Sequence, residues 1–167
     1  PDVLRVIMPP LAQVDWSATV AAVEAVDAAS ETLRLTMLLH DSGKPAAFTI
    51  DELGIGHARG HQGYSVGIAR EVLTYLRLDN QTFNRVLLLV EHHDYRFKPE
   101  RRTMMRMLSR FGREICYQLL SVHRADESAK GRQPQEEIEA QIQQLRDALD
   151  AVVQENPCVT LKDMAVN

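Results

Sequence analysis

The stretch Leu38-Leu39-His40-Asp41-Ser42-Gly43-Lys44-Pro45 decides how this chain is read. An apolar helical run (Leu33, Leu35, Met37, Leu38, Leu39) ends in an adjacent histidine and aspartate, and Pro45 then stops the helix. Two such side chains at the buried end of a helix are costly to desolvate unless something pairs with them. A divalent metal ion is the commonest partner for an imidazole nitrogen beside a carboxylate oxygen. Lys44 adds a positive charge suited to a phosphate bound at that metal. The plainer alternative is a helix C-terminus at which His40 caps carbonyls and Asp41 faces water. The octapeptide alone leaves both open.

Working outward, the surrounding chain reads as helices, with strand periodicity almost absent. Residues 3–12 suggest a short buried helix halted by Pro9 and Pro10, and Val14–Ala29 forms an alanine- and valine-rich helix. Six of the eight glycines fall between Ser42 and Gly67, together with His57 and His61. A glycine-rich loop of that length inside a helical domain is more often functional than idle. His61 is placed at or just before the first turn of the helix that follows, whose apolar positions are Val66, Ala69, Val72, Leu73 and Leu76. A helix from Thr82 to about Asp94 carries Phe83, Val86, Leu87 and Val90 on one face, and that stripe runs on into His93, with His92 one position round.

Ile115, Leu119 and Val122 continue at helical spacing to Asp126, so a carboxylate closes another apolar stripe and calls for a partner. Ile138, Ile142, Leu145, Leu149 and Val152 give the cleanest helical period, on a helix that packs against a neighbour or against a partner helix. Thr160 to Asp163 reads as a capping box that opens a further helix.

Between these helices lies a basic segment: Arg96, Lys98, Arg101, Arg102, Arg106, Arg110 and Arg113, interleaved with Tyr95, Phe97 and Phe111. It is either a solvated helix face or a surface for a phosphate backbone. The net charge of −4 over 167 residues excludes a global positive field, so any nucleic-acid contact is local. Cys116 and Cys158 make neither a disulfide framework nor a metal-binding spacing, which suits a reducing cytoplasm. No apolar run reaches the length of a membrane span and no signal peptide is evident. With Pro1 at its start, the chain reads as a piece of something longer.

The polar residues that end apolar faces are thus His40, Asp41, His61, His92, His93 and Asp126, drawn from separate helix ends, as ligands inside a helical bundle are. Imidazoles with carboxylates suit Mg²⁺-like or first-row divalent ions (Mg, Mn, Ni, Co, Fe or Zn) that keep open positions for water and phosphate oxygens.

In this order and spacing the motifs resemble the HD superfamily of metal-dependent phosphohydrolases. The resemblance is closer to the HD-containing region of bacterial tRNA nucleotidyltransferases (CCA-adding enzymes) and their poly(A) polymerase relatives. The matching pieces are Val6-Ile7-Met8-Pro9, Leu38 to Pro45, Gly56-His57-Ala58-Arg59-Gly60-His61, Arg124-Ala125-Asp126 and Cys158 to Asn167.

The resemblance implies an all-α HD bundle over residues 1–130 with a helical extension over 131–167. It implies a site in which His40, Asp41 and Asp126 hold the principal metal, Asp41 and Lys44 take part in catalysis, and Lys44 and Arg59 neutralise phosphate. His61, His92 and His93 would hold a second ion or contact phosphate. The substrate would be a phosphate ester or nucleotide, and tRNA a partner through the rest of the protein; association into oligomers is left open.

There are three departures. Ala18 stands where the family's separate first histidine is expected, the stretch before it is short, and the nucleotide-adding head is absent from this chain. The rival expectation is a body domain that grips tRNA, through Arg96, Lys98, Arg101, Arg102 and Arg106, around a degenerate metal site. A blander one is an inert bundle that associates through the stripe from Ile138 to Val152.

Overall fold

The computed structural model describes residues 16–155, so the helix expected over residues 3–12 and the capping box at 160–163 lie outside the described residues. The architecture is an all-α bundle: α1 (Trp16–Glu24), α2 (Glu31–Leu39), a single turn α3 (Lys44–Ala47), α4 (His61–Leu76), α5 (Asn80–His92), α6 (Arg101–Phe111), α7 (Arg113–Lys130) and α8 (Gln135–Glu155). Between α3 and α4 lies a minimal antiparallel hairpin of β1 (Thr49–Ile50) and β2 (Gly56–His57), with Thr49 opposite His57.

Helix ends follow local chemistry. Ser30 caps α2 by accepting the Leu33 amide at 3.3 Å, and Asp79 caps α5 by accepting the amides of Gln81 and Thr82 at 2.9 and 3.0 Å. Gly131 closes α7 with φ +59°, in the left-handed region that glycine enters at no steric cost.

Three apolar clusters build the core. Leu39, Ala69, Val72, Leu73, Val86, Leu87 and Val90 join the ends of α2, α4 and α5. Met37, Leu89, Leu119, Val122 and Ala125 join α2, α5 and α7 to α1. The third cluster packs Ile138, Ile142, Leu145, Leu149 and Val152 of α8 against Met104, Met107 and Leu108 of α6 and Cys116 and Leu120 of α7. The regular stripe of α8 is therefore consumed within the chain, and association through that stripe, the blandest expectation, has no exposed face to use.

The loop expected from Ser42 to Gly67 is more ordered than its glycine content suggests. The Asp51 carboxylate accepts the amides of Leu53 and Ile55 at 3.0 and 2.9 Å and so builds the hairpin turn, with Gly54 at φ +77°. Strands of two residues are too short to show a sequence period. No helix among the described residues is long and apolar enough to cross a membrane.

Candidate metal centre

Gly43 brings the first two ligand-bearing segments together. It follows the end of α2, and its amide donates to Ser65 Oγ at 2.9 Å. A Cβ at this position would lie 2.4 Å from both the His61 carbonyl oxygen and the Ser65 nitrogen, so only glycine allows α4 this close to the His40-Asp41 corner.

Around that corner three histidines use one device. His40 Nδ1 donates to the Met37 carbonyl at 2.7 Å, His61 Nδ1 to Ala58 at 2.9 Å, and His93 Nδ1 to Val90 at 2.7 Å, each three residues back. A carbonyl only accepts, so Nδ1 carries the proton and each ring presents Nε2 inward. His40 Nε2 lies 3.2 Å from Asp41 Oδ2 and 3.5 Å from Asp126 Oδ1. His61 Nε2 is 3.2 Å and His93 Nε2 3.6 Å from Asp41 Oδ1. His40, His61, His93 and Asp126 are all buried, and Asp41 partly so. The plainer reading of His40 as a carbonyl cap thus holds for Nδ1, while Nε2 serves the cluster.

Two overlapping ligand sets result, Asp41-His61-His93 and His40-Asp41-Asp126, each with donor atoms within 4.8 Å of one another. The donor chemistry fits a divalent ion: inward lone pairs and carboxylate oxygens face a common space that a cation would satisfy. Without a metal the charges settle otherwise. Burial alone would push the His40 imidazole down, but hydrogen bonds to Asp126 and Asp41 outweigh it and lift it to about 9. Burial would raise Asp41, yet its bonds to His40, His61 and His93 hold it far below the usual carboxylate range. Asp126, opposed by burial in the same way, is held at about 2 by His40 and Lys130.

Lys44 pairs with Asp41 Oδ2, and Lys130 with Asp126 Oδ2 at 2.7 Å. Lys130 was not singled out from the sequence; its position four residues after Asp126, one helical turn on, is the signal that marks it. Arg124, next to Asp126's neighbour in sequence, turns away to Glu139 and the Ala25 carbonyl.

A cavity of roughly 730 Å³ opens over His40, Asp41 and Asp126, and Ala18, Lys44, Phe48, His57, Lys130 and Arg132 are among its walls. Ala18 therefore lines the cavity over His40, Asp41 and Asp126, at the position where the resemblance leads to the expectation of an imidazole. A neighbouring recess over Asp41, His61 and His93 is lined by Arg59 as well as by His57, Lys130 and Arg132. The rim is thus locally cationic on a chain of net charge −4. His57, Lys130 and Arg132 are site residues that sequence reasoning passed over.

His92 lies apart from this group. Its ring packs against Phe111, centroids 4.9 Å apart, and burial pushes it down. The basic residues lie elsewhere too. Arg101, Arg102, Arg106 and Arg110 line a shallow groove along α6, and Arg96 and Lys98 are exposed before it. The interleaved aromatics turn inward: Tyr95, Phe97 and Phe111 pack on one another and on the core.

The chain is 34% identical over 101 residues to the A-adding tRNA nucleotidyltransferase of Deinococcus radiodurans, covering 59% of this chain and 23% of that protein. It is 37% identical over 78 residues to the CC-adding tRNA nucleotidyltransferase of Thermus thermophilus, covering 46% of this chain and 18% of that one. The chain thus spans about a fifth of the length of these curated relatives. The family profile for the HD domain matches residues 16–152, which is most of the chain. On that match, and with the His40-Asp41 pair at the heart of the cluster, the chain belongs to the HD domain family.

Proposed function

We propose that this chain is the HD-domain portion of a tRNA nucleotidyltransferase-like protein and that it hydrolyses a phosphomonoester or a cyclic nucleotide phosphodiester with a divalent metal. The observation that carries this reading is the convergence of three Nδ1-anchored histidines and two carboxylates beneath a cavity with a cationic rim. His40, Asp41 and Asp126 would hold the principal ion, with His61 and His93 available to a second ion or to a phosphate oxygen. A bound ion supplies Lewis-acid polarisation of the phosphoryl group and lowers the pKa of water at the site. Lys44, Lys130, Arg132 and Arg59 line the mouth and neutralise the incoming phosphate. The HD domain over 1–130 would carry the ligands and 131–167 would be its extension, which lends Arg132 to the rim, within a cytoplasmic protein.

The test is elemental analysis of the purified chain and of His40→Ala, followed by turnover of 2′-, 3′- and 5′-AMP, 2′,3′-cyclic AMP and p-nitrophenyl phosphate with Mn²⁺, Ni²⁺ or Mg²⁺. Bound metal that His40→Ala loses, with hydrolysis of at least one ester, is expected. No metal uptake would sink the reading.

A second reading is supported by two observations: Ala18 at the cavity wall, and the arginine groove of α6. In it the domain grips tRNA and its metal site is a relic. Salt-sensitive binding of tRNA, lost in Arg102→Ala with Arg106→Ala, would favour it, and no binding at low salt would remove it.

A further inference from the structure

The hairpin that separates α3 from α4 holds a second histidine-carboxylate pair that the metal site does not use. His57 Nε2 donates to Asp51 Oδ2 at 2.8 Å. The other oxygen of Asp51 is fixed by the amides of Leu53 and Ile55, and the Asp51 amide donates to the Ile55 carbonyl at 3.0 Å. The carboxylate is therefore locked at both ends, and with it the imidazole it orients. The hairpin is seated in turn. The Phe48 ring lies against the bare Cα of Gly56, where a Cβ would come within 2.6 Å of the ring. His57 lines both the cavity over His40, Asp41 and Asp126 and the recess over Asp41, His61 and His93. Its Nδ1 makes no hydrogen bond to the described residues, so the atom that Asp51 leaves over is the one open to a ligand.

We propose that His57 is the general acid of the phosphate-ester hydrolysis assigned above, with Asp51 as its positioning residue; this rests on that assignment. Water supplies the oxygen of the new P–O bond. The bond from phosphorus to the leaving alcohol oxygen breaks, and its electron pair stays on that oxygen, which takes the proton from Nδ1 of the His57 imidazolium. The proton released by the attacking water passes to solvent, and solvent reprotonates the ring. The carboxylate of Asp51, accepting from Nε2, fixes the ring and leaves Nδ1 over for the substrate, as an oriented acid requires. Lys44 and Lys130 are tied to Asp41 and Asp126, and the cluster histidines have their Nδ1 protons committed to carbonyls.

The experiment compares leaving groups. p-Nitrophenolate leaves readily without a proton, whereas an alcohol of AMP does not. Wild type, His57→Asn and Asp51→Asn are assayed with Mn²⁺ on p-nitrophenyl phosphate and on whichever of 2′-, 3′- and 5′-AMP the wild type hydrolyses, with bound Mn²⁺ measured for each. The ratio of the aryl to the alkyl kcat is expected to rise about a hundredfold or more in His57→Asn. It should rise in the same direction, by less, in Asp51→Asn, while all three proteins retain Mn²⁺. An unchanged ratio, or wild-type hydrolysis of the aryl ester alone, overturns the role of His57 and leaves the metal site standing. A wild type that turns over neither ester overturns the proposed function and the acid with it.

Discussion

His61 Nε2 and His93 Nε2 face each other at 3.1 Å, and each ring has already committed its Nδ1 proton to a backbone carbonyl. Two lone pairs at that distance repel, a conflict that burial sharpens. A cation sharing both nitrogens removes the conflict. Added Mn²⁺ or Ni²⁺ at a hundredfold excess over its Kd should stabilise the fold by about 2.7 kcal/mol. That appears as a rise of several degrees in Tm that a chelator reverses. The rise should shrink in His93→Ala. A Tm indifferent to metal would contradict the arrangement.

In the proposed site, metal and proton would compete for His40. Its imidazole is raised from 6.5 to about 9 in the metal-free fold, burial being outweighed by Asp126 and Asp41. A raised histidine stabilises most below its unfolded value, so this contribution is complete below pH 6.5 and is lost as pH climbs toward about 9. Metal binding runs the other way, because the ion must displace that proton. Apparent affinity should rise about tenfold per pH unit across this window and level off above it. Titration calorimetry at several pH values reads the slope; a flat profile would show that His40 is not a ligand.

Ala18 shares the cavity wall with His40, Asp41 and Asp126. Ala18→His supplies an imidazole at the family's expected ligand position. The variant should hold metal more tightly than the parent, measured by competition with a chelator of known affinity. Equal or weaker retention would mean that the register of α1 no longer suits a ligand.

Gly43→Ala should be among the most damaging small substitutions in the chain. The new Cβ meets the His61 carbonyl and the Ser65 nitrogen, both backbone atoms that cannot turn aside. A loss of about 3 kcal/mol in urea denaturation is expected, together with weakened metal binding, since His61 moves with that carbonyl. Gly63→Ala, two residues into α4 with open space at its Cβ, serves as the contrast and should stabilise by about 0.5–1 kcal/mol.

The arrangement of the helices was largely legible in the residue order. Apolar spacing marked α2, α5, α7 and α8 to within a few residues, and the same stripes ran on to Asp126 and His93. The candidate ligand types were legible for the same reason: histidine and aspartate at the end of an apolar face demand a partner wherever they occur.

What the chain order could not settle was which of these ends meet. His92 and His93 are neighbours in sequence, yet about 100° of helical rotation separates them. That turn sends one ring to Phe111 and the other to Asp41. Lys130 and His57 became site residues only once α7 and the hairpin lay beside the His40-Asp41 corner. The inward turn of Tyr95, Phe97 and Phe111 was likewise a matter of packing. Periodicity reports how each segment divides its own surface between core and water. Convergence depends on contacts between segments tens of residues apart, and those were fixed by packing such as that of Gly43 against α4, which only the tertiary structure contains.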